Sequence, residues 1–386
     1  MKVLILTPGT DTAAGGVERF ANLLADLVVD RGGAAELIAP PYPVDGLRAA
    51  AAFSTYAARQ VRDRRADVLV SNGCLGCFHP LPGGVRRVHV YHGTMLGRAL
   101  GAGGRVMGRA PGTSRRWHLR HHVRYGIQEL GVGARADLRV AVSASAAAEV
   151  QRYYRLAVHA VVPNAVDTAR FRETDRQDAR LALGLDADLD HRYAVFVGRP
   201  EWGKGTDLLA GAARSEGLDL LCVGGDMAGA TSLGRLAPAQ VVSALNAADV
   251  FLFPTRYEGC SYAVLEAIAC NLPVATTTAG WGAELRAMAS PGLQALFQTD
   301  PADIGVAVHL AAHTSRDDFR PYANLVRAAV NFDVWKARWA ALLELPAADD
   351  SARATDQELA ATVTGRLRAG TDRHPGASPG PADRRC

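Results

Sequence analysis

FPTRYEGCSYAVLEAIACNLPVATTT, residues 253–278, runs from the end of a strand through a loop and a helix into a second strand. Asp249 to Phe253 is a short apolar run closed by Pro254, the pattern of a buried strand. Pro254 to Gly259 reads as a loop, Ser261 to Cys270 as an amphipathic helix, and Pro273 to Thr277 as the next strand. Glu258 therefore lies on a loop. Glu266 lies on the helix, roughly 8 Å along the axis from its start at ~1.5 Å per residue. The helix N-terminus between them offers free backbone N–H groups and the positive end of a dipole, which suits a ligand rich in oxygen and negative charge. Taken alone, two glutamates are ordinary surface acids.

The same alternation extends in both directions. Strands are expected at Val3–Thr7, Ala35–Ala39, Val68–Ser71, Val88–Tyr91 and Leu138–Val142, with a helix at Gly16–Asp30. After Asn164 the pattern restarts, with strands at Tyr193–Val197, Leu218–Val223, Val250–Phe253 and Pro273–Thr277. Alternating strands and helices imply an α/β fold of parallel sheets covered on both faces. The expected division is a first Rossmann-like domain over 1–164, a second over 165–330, a closing helix over 331–347 and a disordered tail over 348–386. Residues 165–191, polar and without strand pattern, form the connection.

With 386 residues and 48% hydrophobic content, the chain can build two cores. The uncharged stretches are broken by Pro, Gly, Asn and Thr, so no membrane span is read, and the start MKVLILTPGT reads as a first strand rather than a secretory signal. Six cysteines without disulfide spacing suit a reducing cytoplasm. Cys74 and Cys77 form a C-x-x-C that lacks a second ligand pair, so no metal site is expected from it.

Three lysines, Lys2, Lys204 and Lys336, stand against forty arginines. Lys204 opens a helix soon after a strand that ends at Gly198, with Arg199 between, so both cations fall at the carboxyl edge of a sheet, where ligands of open α/β folds bind. Gly15 and Gly16, also between strand and helix, let backbone N–H groups approach phosphate closely. His92 follows a strand directly, and Asp11 is close in sequence to the glycine pair. Residues 68–128 hold nine arginines and no acid. Arg115–Arg124 reads as part of a basic amphipathic helix, with Trp117, Val123 and Ile127 on adjoining faces; it is either a solvated face or a contact for an anionic partner or membrane surface. Nucleic acid is not an expected partner, because no binding module is present and few aromatics interleave the arginines.

Together these segments resemble the retaining family-4 glycosyltransferases, whose signature pairs Glu-Gly-Phe-Gly with a helix carrying a second Glu and a Cys-Gly-x-Pro-Val ending. Pro254, Glu258, Gly259, Glu266, Ala267, Ala269, Cys270, Pro273 and Val274 match it, whereas Cys260, Ser261, Tyr262 and Asn271 depart from it. Val-Gly-Arg199 with Lys204-Gly and the Gly15-Gly16-x-Glu-Arg loop match further family motifs. The resemblance implies the GT-B arrangement, two doubly wound domains facing a cleft, and a metal-independent enzyme without cofactor. It implies that Arg199 and Lys204 grip the diphosphate of a nucleotide sugar and that Glu266 holds the ribose. Glu258, with Gly259, Cys260 and Ser261, would lie against the hexose, and Gly15 and Gly16 would cover the donor. His92 would touch sugar or acceptor; Asp11 is an acceptor-side candidate. The arginine- and alanine-rich composition resembles actinomycete proteins, which favours an aminocyclitol or aminoglycoside acceptor in antibiotic biosynthesis, with a cell-envelope glycolipid as the alternative. A nucleotide-sugar epimerase or a non-catalytic binding protein on the same fold are the other readings, and the oligomeric state is left open.

Overall fold

The computed structural model describes residues 1–9, 15–41, 46–73, 75–100 and 115–346, with 46, 47, 100 and 115–121 described by backbone alone. In the first sheet β1 (Lys2–Leu6), β2 (Ala34–Ile38), β3 (Val68–Asn72), β4 (Arg86–Tyr91), β5 (Leu138–Ala141) and β6 (Ala160–Val161) lie in the order β2-β1-β3-β4-β5-β6. The second holds β7 (Tyr193–Val197), β8 (Asp219–Val223), β9 (Thr231–Gly234), β10 (Val250–Phe253), β11 (Val274–Thr277) and β12 (Phe297–Gln298), ordered β12-β11-β10-β7-β8-β9. Every pairing is parallel. β3 and β10 are buried along their whole length, which is why β10 and the first three residues of β3 read as continuous apolar runs rather than alternating ones.

All nine expected strands are present, their ends within two residues of the sequence reading. The three it missed are edge strands. β6 and β12 have two residues each, and β9, Thr-Ser-Leu-Gly, buries no residue fully, so none carries an apolar run. Two further segments gain detail. Residues 165–191 contain a helix, Arg176–Leu181, capped by the Asp175 side chain. Its Arg180 is fully buried and donates to the Ala247 carbonyl at 3.0 Å and to Asp249 at 3.3 Å, so a residue that reads as surface charge is an internal brace. The helix Arg115–Gly133 forms, and in its described part Val123 and Ile127 are 38% and 58% exposed, whereas Gln128 and Glu129 are buried along with Val132. The inward face can hold Glu129 because that carboxylate accepts hydrogen bonds from the Tyr154 hydroxyl and the Met95 amide.

The two sheets share one hydrophobic cluster. The helix Phe332–Leu343 contributes to it by packing Trp335 and Trp339 edge-on against Phe20, with ring centroids 5.7 and 5.3 Å away. At the crossover Val166 donates to the Val330 carbonyl at 2.8 Å. Among the described residues no helix is long and apolar enough to cross a membrane.

Candidate active site

Each sheet reverses its winding at one place, between β1 and β3 in the first and between β7 and β10 in the second. Loops that leave the carboxyl ends of strands at such a point diverge and leave a crevice. After β7 the chain passes Gly198 and Arg199 and makes a single turn, Trp202–Lys204. After β10 comes the loop carrying Glu258. The two loops are clamped together: Arg256 donates to the Trp202 carbonyl at 2.6 Å, pairs with Asp207 and lies 4.1 Å over the Trp202 ring. Gly205 is required here. Its φ is +73°, and a Cβ would stand 2.0 Å from the Pro254 carbonyl oxygen.

Lys204 reaches across this junction to form an ion pair with Glu258, its ammonium 5.2 Å from the Phe253 ring centre. Arg199 follows the end of β7 and is exposed, with no hydrogen-bond partner among the described residues. Glu258 and Ser261 line a cavity with Phe253, Thr255, Thr277 and Trp281 at the ends of β10 and β11. Ser261 also caps the helix Tyr262–Ala269, accepting from the Val264 amide at 3.4 Å. Cys260 does not line the cavity. Its thiol packs into the core, where burial pushes its pKa upward, and its carbonyl accepts from Asn164 at 2.7 Å. Asn164 thereby ties the crossover between domains to the site loop.

The first domain supplies the opposite wall. The Gly15–Gly16 turn starts the helix Gly16–Asp30 and stands against the second domain's helix: a Cβ on Gly16 would meet the Tyr262 ring at 3.3 Å. One turn on, Arg19 forms an ion pair with Glu266 and covers the Tyr262 ring at 4.3 Å. Glu266 is only 5% exposed, and burial raises its pKa, with Arg19 opposing the rise. Of the nominated residues, Lys204 meets Glu258, Gly259 stands against the His92 carbonyl, Gly16 stands against the helix that carries Glu266, and Glu258 and Ser261 line the cavity. Asp11 lies outside the described residues, as does Cys74; Cys77 is buried, with its thiol pKa raised by burial.

His92 has a defined tautomer. The Asn72 amide nitrogen donates to the Val17 carbonyl at 3.0 Å, which turns its Oδ1 toward His92 Nε2 at 2.6 Å. Nε2 therefore carries the proton and Nδ1 is an acceptor. Burial lowers the ring's pKa to about 4, with Glu258 opposing, so the imidazole is neutral at pH 7. Its edge rests on Phe20 at 5.0 Å.

The sequence reading did not find the residues that bind the two walls together. Tyr257, beside Glu258, donates its hydroxyl to Glu149 at 2.8 Å and accepts from the Thr94 amide at 2.6 Å. Thr94 Oγ1 donates to the same Glu149 oxygen at 2.8 Å. Gly259 fits against the His92 carbonyl so closely that a Cβ would approach it to 2.2 Å. Arg19 and Tyr257 stand inside motifs that the sequence reading quoted, but their partners, 247 and 108 residues away, have no local signal.

Residues 2–170 match the family model for Glycosyltransferase Family 4, and residues 191–310 that for Glycosyl transferases group 1. A D-inositol 3-phosphate glycosyltransferase of Segniliparus rotundus is 33% identical over 38% of this chain, an alignment that spans 38% of that relative's length. Among solved structures, sucrose-phosphate synthase from Thermosynechococcus elongatus superposes with a TM-score of 0.71 at 17% identity, covering 89% of this chain and 98% of that one. Anabaena HepE in complex with UDP gives 0.63 at 14% identity over 89% and 100% of the two chains. At these identities the structures establish the GT-B fold, and the two family matches fall one on each sheet, Glycosyltransferase Family 4 on the first and Glycosyl transferases group 1 on the second.

Proposed function

We propose that the chain is a retaining glycosyltransferase that moves a hexosyl or amino-hexosyl unit from a nucleotide diphosphate sugar to a hydroxyl of a cyclitol. The Lys204–Glu258 pair at the β7/β10 reversal carries this reading, since it sets a cation for phosphate beside an acid for sugar hydroxyls. The donor is UDP-linked, as in the UDP complex of HepE.

As the bond from the anomeric carbon to the phosphate oxygen breaks, negative charge grows on the diphosphate. Lys204, Arg199 and the backbone N–H groups at Gly15–Gly16 meet it, and fixed charges of this kind act where the charge develops. Glu266 accepts hydrogen bonds from the ribose hydroxyls. Glu258 orients the hexose hydroxyls and stabilises the oxocarbenium-like centre. The acceptor oxygen forms its bond to the anomeric carbon on the face the diphosphate leaves, and its proton passes to the departing phosphate oxygen. His92 Nδ1, neutral and unprotonated, accepts a hydroxyl of sugar or acceptor. The side chains themselves supply the positive charge, so the reaction is metal-independent and needs no cofactor.

The acceptor reading rests on the relatives' name, D-inositol 3-phosphate glycosyltransferase, and on the arginine-rich run over 68–128, which together favour a cyclitol bearing an anionic group. An aminocyclitol of antibiotic biosynthesis belongs to the same hydroxyl-rich ring class. A glycolipid acceptor at the cytoplasmic membrane face is the second reading, favoured by the exposure of Val123, Arg124 and Ile127 on the helix Arg115–Gly133. Mass spectrometry of reactions pairing UDP-hexoses and UDP-N-acetylhexosamines with inositol phosphate, an aminocyclitol and a lipid acceptor tests both. A product mass of acceptor plus hexosyl, with the anomeric configuration kept, is expected with a cyclitol. Release of UDP without acceptor, or epimerised donor alone, overturns the proposal. Salt-sensitive sedimentation with anionic liposomes is the result that moves the reading to the membrane.

A further inference from the structure

We propose a transition-metal site on the back of the second domain, formed by Glu216, His309 and His313 and suited to Zn²⁺. His309 belongs to the helix Ile304–Ala312 and His313 caps its C-terminal end, so the two imidazoles stand four residues apart on one helical face, ring centroids 4.5 Å apart. Glu216 ends a different helix, Thr206–Ser215, and brings its carboxylate to 3.2 Å from His309 Nδ1. One ligand atom from each of the three residues falls within 4.8 Å of the other two.

The orientation of His313 adds an independent argument. Its Nδ1 donates to the His309 carbonyl at 2.8 Å, which leaves Nε2 with its lone pair unprotonated. A backbone carbonyl holding one ring nitrogen fixes the tautomer in metal-ligating histidines, and the held Nδ1 lies 4.0 Å from Glu216 Oε2. Two imidazoles and one carboxylate form a donor set for zinc, with bonds of roughly 2.0 to 2.2 Å and a fourth position left to water. Both histidines are exposed, 67% and 58% at the side chain, so drawing three ligand atoms toward one centre asks only for rotations at the surface.

The site is remote from the crevice. Arg192, which precedes β7, donates to the Ala312 carbonyl at 2.6 Å, and Glu216 lies just before β8. Both contacts place the cluster at the amino-terminal edge of the sheet, opposite the strand ends that carry Lys204 and Glu258. An ion there staples two helices that cover the sheet and stabilises the domain in proportion to its occupancy; the glycosyl-transfer reading needs no part of it.

Isothermal titration of the tag-free, chelator-stripped full chain with zinc chloride tests the assignment, with unfolding temperature as a second readout. One saturable equivalent is expected, together with a rise in unfolding temperature on adding zinc. His309→Ala and His313→Ala should each weaken binding at least about tenfold, the scale on which ligand-shell changes act, and the double variant should lose the thermal shift. Glu216→Gln should weaken binding as well. Absence of saturable binding to the parent chain, or parental affinity in the double variant, overturns the site; the first leaves a plain His–Glu surface contact and the second puts the ion elsewhere.

Discussion

Replacing Arg19 with Met removes a cation from one domain and leaves an acid buried in the other. Glu266 retains 6% of its side-chain exposure with Arg19 in place, whereas Arg19 retains 25%, so the carboxylate bears most of the desolvation. Breaking a buried pair from one side costs about 3–5 kcal/mol, and losing the guanidinium from the Tyr262 ring adds roughly 0.5–1 kcal/mol. The cost has a ceiling, because the domains can part far enough for water to reach Glu266. A loss of about 3 kcal/mol is therefore expected, or a fall in unfolding midpoint of roughly 6 to 12 °C at 2–4 °C per kcal/mol. Glu266→Met should cost less, since Arg19 can turn to solvent. The double variant should be more stable than Arg19→Met alone, because no buried charge remains. Thermal unfolding of the four proteins gives the cycle. A single-variant loss below about 1 kcal/mol, or strict additivity, would refute the account of Glu266 as an acid that depends on its partner across the crevice.

Tyr257→Phe removes the hydroxyl that joins the Glu258 loop to Thr94 and Glu149; a fall of about tenfold in kcat with little change in UDP affinity is expected from steady-state kinetics and calorimetry. Burial raises the Glu129 carboxyl from 4.5 to about 7 against hydrogen bonds from Tyr154 and Met95. The folded chain thus keeps a proton that the unfolded chain gives up, and the associated stability is complete below the unfolded value and lost as pH rises through the folded one. Urea denaturation should show the parent losing up to about 3 kcal/mol between pH 5 and pH 8 relative to Glu129→Gln. For His92 the direction is opposite: with its pKa lowered to about 4, any limb it imposes on kcat/KM falls near that pH, and a His92-dependent limb near pH 6.5 would count against its neutral state.

The fold was legible because most strands of a parallel sheet covered on both faces carry an apolar stretch, and nine of the twelve strands could be read. β6, β9 and β12 were not, because an edge strand of two to four residues without a fully buried face has no pattern to read. At the site, Lys204 and Glu258 could be nominated from local motifs, yet their direct pairing could not, since it depends on how β10 lies beside β7. The same limit hid Arg19–Glu266 and Tyr257–Glu149, contacts made between domains after the chain has folded. Hydrophobic periodicity misled at Arg115–Gly133, where Glu129 is buried because Tyr154 and Met95 satisfy it, while Ile127 stays outside.

The pairing of Lys204 with Glu258 bears on how the proposed donor would enter. A diphosphate and a carboxylate compete for one ammonium, and each group is less than a quarter exposed, so the competition takes place where charge is weakly screened. When the diphosphate takes Lys204, Glu258 is released toward the hexose hydroxyls, and donor binding itself frees the acid that orients the sugar. Two opposite effects on UDP affinity follow. Lys204→Met should weaken UDP binding by tenfold or more, because a charge-assisted contact to phosphate is lost. Glu258→Gln should leave UDP binding intact or tighten it a few-fold, because the carboxylate's hold on Lys204 and its repulsion of the phosphate are both gone, while glycosyl transfer is abolished. Calorimetric titration with UDP and a product assay on the same preparations separate the two residues. Weaker UDP binding in Glu258→Gln by an order of magnitude would show that the acid supports the nucleotide rather than competing with it, and full transfer in that variant would remove it from the chemistry.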